Sequence, residues 1–258
     1  MRRRVVWLLL VVGLTAPAVA GPPPALDPCS PAPFDRILRR YVRDGEVDYA
    51  RLKATAADRG RLEEYHRALA ECDVDRLDAP ARLAFWLNAY NACTIMAVLE
   101  RYPIRTVREV DGFFDRITHR VGGRDVTLND IEHRELVMTL RDARTHFAIV
   151  GADRGSLPLD TQVYTAANVE ALLEKRAWAF AADPRHFGID RRRGTVYASR
   201  LFGWYPTDFI VDPRFKGGRA VEYLIPYLDR ETAAFLRAGS YRLVYTDWDW
   251  ELNDGSER

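Results

Sequence analysis

The sequence predicts a helix-rich α+β fold: a single domain with a small sheet over residues 34–254, preceded by a cleaved signal peptide. Three observations carry this. Residues 81–99, ARLAFWLNAYNACTIMAVL, are apolar on every side except for a line of Asn88, Asn91 and Thr94, the pattern of a helix sunk in a core. Helical segments outnumber strands and do not alternate with them regularly, which argues against a doubly wound sheet. The chain is 48% hydrophobic, enough for a sizeable core, and nothing in its middle reads as a linker.

Taken in order, residues 1–20 have the build of a secretory signal: Arg2, Arg3 and Arg4, an apolar run over 5–14, then Ala18-Val19-Ala20 before Gly21. That run is too short to span a bilayer, so no membrane span is expected in the mature form. Export to the periplasm or the cell exterior is the implied location. Residues 21–33 are Pro-rich and read as a flexible spacer. Residues 34–42 predict a short helix closed by an Asp44-Gly45 turn, and residues 61–71 a second with Leu62, Tyr65 and Leu69 on one face. The buried helix is the third, stopped by Pro103.

Gly122-Gly123 between Val121 and Val126 predicts a tight hairpin. It feeds a helix over 128–136, opened by Thr127 with Asp130 three positions on in the form of a capping box. Residues 146–150 are an apolar run of strand length and 151–159 are irregular. A long amphipathic helix follows from a Thr165 cap to about residue 182, with Val169, Leu172, Leu173 and Phe180 inward. A strand over 195–199, a short helix over 201–209, two helices within 218–238 and a strand over 241–246 complete the chain.

Charge excludes some partners. Removing Arg2, Arg3 and Arg4 with the leader leaves 35 basic against 37 acidic side chains, a formal charge of −2, and the charges are dispersed. Nothing favours nucleic acid or an anionic lipid surface. Three cysteines in an oxidising compartment allow at most one internal disulfide. Cys72 and Cys93 are either paired or small hydrophobes, and Cys29 lies in the spacer. No metal-ligand spacing is present and no cofactor is implied.

Five segments carry a family resemblance: Tyr41-Val42-Arg43-Asp44-Gly45-Glu46-Val47-Asp48-Tyr49, Ala84-Phe85-Trp86-Leu87-Asn88-Ala89-Tyr90-Asn91, Thr127-Leu128-Asn129-Asp130-Ile131-Glu132-His133, His146-Phe147-Ala148 and Leu201-Phe202-Gly203-Trp204-Tyr205-Pro206-Thr207-Asp208-Phe209. With a closing Asp249-Trp250-Glu251-Leu252-Asn253-Asp254, their order and spacing resemble the family known as domain of unknown function 547. The resemblance brings no activity with it. It also exposes a departure. Where typical members look to have Asn-Cys-Ala-Ser and then Cys-Pro-Pro, this chain has Val150-Gly151-Ala152-Asp153 and then Ser156-Leu157-Pro158. Thiol chemistry at those positions is therefore closed to it. If the family's cysteines form a structural disulfide, their loss costs about 2–5 kcal/mol of stability and no chemistry.

Among polar residues, His133 is the leading candidate for a general base, sharing a helical face with Asn129 and Asp130, which can orient its ring. The competing reading makes Asp130 a capping acid and His133 a satisfied helix histidine. His146 is either an edge residue of its strand or a second base. Ser156 is either a turn serine or a nucleophile activated by a histidine. Trp204, Tyr205 and Asp208 lie on a short aromatic helix and either line a cleft or pack the core; Asp208 has Arg200 as a candidate partner. Trp248, Trp250 and Asn253 admit the same two readings. Asn88 and Asn91 need hydrogen-bond partners, supplied by a loop or by a ligand.

The first functional expectation is an exported binder of a small molecule or peptide, with a cleft built by Asn88, Asn91, His133, His146 and Trp204 and no thiol chemistry. The alternative is an amide or ester hydrolase or acyl-transfer enzyme, with His133 or His146 as general base and Ser156 or water as nucleophile. A third is a structural role in the cell envelope.

Overall fold

The computed structural model describes residues 27–256. The signal peptide read over 1–20 and the start of the spacer lie outside the described residues. Helix α1 (Ala32–Tyr41) leads into a hairpin of β1 (Val42–Arg43) and β2 (Glu46–Val47), then α2 (Tyr49–Ala54), α3 (Ala56–Glu71) and α4 (Ala79–Arg101). A second hairpin, β3 (His119–Val121) and β4 (Arg124–Val126), precedes a π-helical segment Asp130–Thr139 and a 3-10 turn Ala143–Phe147. Then come α5 (Val169–Ala182), β5 (Phe187–Asp190), β6 (Thr195–Ala198), α6 (Leu201–Trp204) and α7 (Pro206–Val211). A 3-10 segment Ala220–Tyr227, α8 (Arg230–Arg237) and β7 (Arg242–Tyr245) end the order. The described residues are thus helix-rich α+β, with three small sheets: the two hairpins and a β5-β6-β7 sheet in which β6 pairs antiparallel with β5 and parallel with β7.

Local chemistry explains the elements that position the site. Helix α4 starts where the Asp78 carboxylate accepts the Ala81 N–H at 2.9 Å, and ends at Tyr102-Pro103, since proline cannot continue a helix. Every residue from Leu83 to Leu99 is buried, as its all-round hydrophobicity requires. On α3, Leu62, Tyr65 and Leu69 are buried as their spacing predicts, and the helix starts five residues earlier than expected. The hairpin turn at Gly122 and Gly123 takes positive φ (57° and 73°), which glycine adopts at no steric cost. Thr127 and Asp130 form the expected reciprocal cap: the Asp130 N–H donates to Thr127 Oγ1 at 3.0 Å and the Thr127 N–H to Asp130 Oδ2 at 2.9 Å.

Four local expectations are corrected. Residues 146–150 are not a strand; the 3-10 turn is held by Asp142, which accepts the Arg144 N–H, and by Asp212, which accepts the Ala143 N–H. Helix α5 begins only at Val169, with Asn168 and no Thr165 side-chain cap before it. The segment 201–209 is two helices broken at Tyr205-Pro206. The end of the spacer is anchored, because Cys29 is bonded to Cys72 and α1 starts at Ala32; Cys93 is the free, buried thiol.

The bridge closes a separation of 43 residues, for which the chain-entropy estimate is about 4 kcal/mol. Cys29→Ser is accordingly expected to lower the melting temperature, and to abolish the dependence of that temperature on reductant.

The interior holds two apolar clusters. One is built on α1 to α4 and reaches into α5; the other joins α5, the three-stranded sheet and α6 to α8. The turn between them passes from one to the other: Ala143 and Phe147 belong to the second cluster, Ala148, Ile149 and Val150 to the first. Among the described residues no helix is long and apolar enough to cross a membrane.

Candidate functional site

That crossing places His146 at the boundary of the two clusters, with its ring sealed from solvent. Its Nδ1 lies 2.9 Å from Glu132 Oε1 and its Nε2 lies 3.0 Å from Asp208 Oδ2. Burial by itself lowers the pKa of an imidazole. Here hydrogen bonds and charge from Asp208 and Glu132 outweigh it and raise His146 to about 9, so the ring is an imidazolium at neutral pH. Tyr205 stacks flat on it at 4.6 Å between ring centres, and Phe209 packs beside it at 5.5 Å. The turn bearing His146 is pinned in turn by Arg144, which is buried and bonded to Asp142, Glu170 and Glu174.

A cleft of about 400 Å³ opens over this histidine. Its walls are aromatic: Trp204, Trp248 and Trp250 lie 5.2–6.2 Å apart centre to centre, with Tyr90, Phe114 and Tyr205 beside them. Its polar groups are Glu132, His146, Asp153, Asp115, Asn129 and Ser156, and no lysine or arginine among the described residues lines it. The closing segment supplies two of the tryptophans because it runs back along residues 152–155. Arg154 N–H donates to the Glu251 carbonyl at 2.9 Å, Gly155 N–H to that of Asp249 at 2.8 Å, and Asn253 N–H to that of Ala152 at 3.1 Å. Gly155 permits the approach: a Cβ there would sit 2.6 Å from the Trp248 ring.

Asp153 is 4% exposed, and burial raises its carboxyl to about 6, with hydrogen bonds from the Ser156 backbone and side chain pulling the other way. A Cβ on Gly151 would lie 2.6 Å from Asp153 Oδ2. The carboxylate thus fills the space beside the position where the resemblance leads one to expect cysteine.

The structure brings His146, Ser156, Trp204 and Tyr205 to this cleft and keeps other candidates away. Asn88 and Asn91 are corrected from cleft residues to loop clamps. Asn88 Nδ2 donates to the Tyr164 carbonyl (2.7 Å) and its Oδ1 accepts the Tyr164 N–H (3.0 Å). Asn91 does the same for the Ala148 carbonyl (3.3 Å) and the Val150 N–H (2.9 Å). They border a recess of about 10 Å³. Asp130 is spent on Thr127 and Arg134 and does not orient His133. His133 is half-buried, 5.3 Å from the Tyr205 ring, and is not among the cleft's lining residues. Asp208 pairs with His146 and not with Arg200, whose partner is Asp247. The expected serine–histidine pair is replaced by a serine–aspartate one, since both nitrogens of His146 are already bonded.

Sequence reasoning underrated Glu132, Asp153 and Phe114. Glu132 alone had a legible signal: it follows Leu128 by four residues and falls on the stripe that buries Leu128, Ile131 and Leu136. A larger open groove of about 1010 Å³, lined by Tyr102, Arg105, Arg108, Glu109 and Arg154, shares Trp250 with the cleft but contains no histidine.

Fold and site together define a helix-rich α+β protein with an acid-clamped imidazolium beneath an aromatic, acidic cleft. Over residues 74–181 the chain matches the family model described as protein of unknown function, DUF547, which bears out the resemblance read from the motifs. The matched segment contains α4, Glu132, His146, Asp153 and Ser156, whereas Trp204, Tyr205, Asp208, Trp248 and Trp250 lie outside it. No curated protein and no solved structure matches the chain.

Proposed function

We propose that the chain is an exported binding protein whose cleft takes a small organic molecule, or a peptide side chain, that carries a positive charge. The observation supporting this is the pairing of three tryptophan faces with carboxyl groups, in a cleft that no lysine or arginine among the described residues lines and whose one imidazolium, His146, is already paired with Glu132 and Asp208. Aromatic faces attract cations through the ring quadrupole, by about 0.5–2 kcal/mol each as water is excluded, and a nearby carboxylate adds charge attraction. Trp250 already accepts a cation on its groove side, where the Arg108 guanidinium lies 5.6 Å from the ring centre.

Titrating tryptophan fluorescence with choline, against its uncharged isostere 3,3-dimethylbutan-1-ol, tests the reading. Saturable binding of choline is expected, weakened about tenfold by Trp204→Ala, with little binding of the isostere. Affinity is expected to fall as the pH is lowered through about 6, because protonating Asp153 removes its charge. Equal binding of the two probes, or a signal with neither, overturns it.

The hydrolytic alternative retains one favourable observation, the contact of Ser156 with a carboxyl titrating near neutrality. His146 does not serve it: an imidazolium with both nitrogens bonded has no lone pair with which to accept a proton.

A further inference from the structure

A second cluster of chemically capable side chains lies outside the cleft. His66 on α3, Cys93 on α4 and His119 at the start of β3 each present one donor atom, and the three atoms lie within 4.8 Å of one another. The elements that carry them are firmly joined. The β3–β4 hairpin is tied to the end of α3 by the Gly122 N–H to the Leu69 carbonyl (2.7 Å) and the Gly123 N–H to that of Ala70 (2.9 Å), and α4 is buried along its length. Cys93 and His119 are buried, and His66 is half-buried, which leaves an approach from solvent at His66.

The spacing of the donor atoms fits a metal ion. His66 Nε2 and His119 Nδ1 stand 3.3 Å apart. Two nitrogens bound to one tetrahedral Zn²⁺ at 2.0–2.1 Å are separated by about 3.3–3.4 Å. In the metal-free chain the same two nitrogens share one hydrogen bond, which the ion would replace, while His119 Nε2 has no hydrogen-bond partner among the described residues in either state. The donor set is also selective. Two imidazole nitrogens and one thiolate suit a borderline-to-soft transition-metal ion and do not suit Mg²⁺ or Ca²⁺, which take oxygen ligands.

We propose that His66, Cys93 and His119 bind one transition-metal ion, with Zn²⁺ the best match, the fourth position being left to solvent on the His66 side. On binding, the Cys93 S–H bond gives its proton to the medium and the sulfur's electron pair forms the metal–sulfur bond. The site is a three-ligand clip across α3, α4 and β3, formed by residues whose separation in sequence disguises it.

The test uses the purified protein after chelation and dialysis, titrated with Co²⁺ as an optical reporter and then with Zn²⁺. Expected are one Co²⁺ per chain, a thiolate-to-cobalt charge-transfer band, release of a proton near neutral pH, and displacement of cobalt by Zn²⁺. Cys93→Ala is expected to abolish the band, and His66→Ala to weaken Zn²⁺ binding at least a hundredfold. His66 is half-exposed, so its variant keeps the test decisive should the buried Cys93 variant not fold; circular dichroism establishes which variants are native. A folded wild-type chain that gives no charge-transfer band overturns the proposal. So does Zn²⁺ affinity that is unchanged in folded Cys93→Ala or His66→Ala.

Discussion

Raising the pH from 6.5 to 9 is expected to lower the stability of the native chain by about 3 kcal/mol, at 1.36 kcal/mol per pKa unit. The cause is His146, whose folded-state pKa of about 9 stands above its ordinary 6.5. A histidine raised in this way contributes stability that is fully present below 6.5 and is lost as the pH climbs through 9. Asp153 acts in a different window. Its carboxyl is raised from 3.8 to about 6, so its charging opposes folding chiefly between those values, mostly ahead of the interval in which His146 acts. Cys93, whose thiol burial pushes up, adds a loss only around and above its ordinary 9.0. Urea midpoints measured across this range check the sign. A Glu132→Gln, Asp208→Asn double variant is expected to lose this fall, because its imidazole has no carboxylate to hold the proton, while His66, His119 and His186, which burial keeps neutral, make stability rise slightly through pH 6.5. A wild-type profile without the fall contradicts an imidazolium at the floor of the cleft. His146→Leu is expected to cost about 3–5 kcal/mol, since it strands the buried Glu132 carboxylate without its partner.

Asn88→Leu is expected to destabilise the chain by about 2–6 kcal/mol, with one unsatisfied backbone donor and one acceptor contributing about 1–3 kcal/mol each. The amide clamps both the N–H and the carbonyl of Tyr164, 76 residues away, and leucine has nothing to offer either group. Asn91→Leu has the same character and adds a functional consequence. Its partners, Ala148 and Val150, lie between His146 and Gly151, so their release is expected to weaken probe binding as well as lower the urea midpoint. Asn88→Leu, whose partner Tyr164 is not among the cleft's lining residues, is expected to lose stability first and binding only as the chain unfolds. A ligand-binding role for Asn88 predicts the reverse, an unchanged or raised midpoint.

Much of the fold was legible because it is written in local periodicity. The face of Leu62, Tyr65 and Leu69, the all-round burial of α4, the hairpin at Gly122-Gly123 and the Thr127–Asp130 cap all depend on residues within a few positions of each other. Such patterns fix backbone geometry before any tertiary contact forms. The family motif belongs to the same legible layer. The 146–150 run shows where that layer ends. A short apolar run fits a strand or a buried turn equally well, and the choice fell to Asp142, Asp212 and the Arg144 network.

The sequence by itself determined the helix-rich class, the buried amide-bearing helix and the glycine and serine that stand where the resemblance leads one to expect thiols. Only the tertiary structure decided what the polar residues do: that Asn88 and Asn91 hold loops, that Glu132 and Asp208 converge on His146, that Cys29 pairs with Cys72, and that His66, Cys93 and His119 meet. The physical reason is range. Periodicity reports which face of a segment leaves water, whereas the partner of a buried polar group is chosen by whichever distant segment packs there, and nothing in the neighbouring residues encodes that choice.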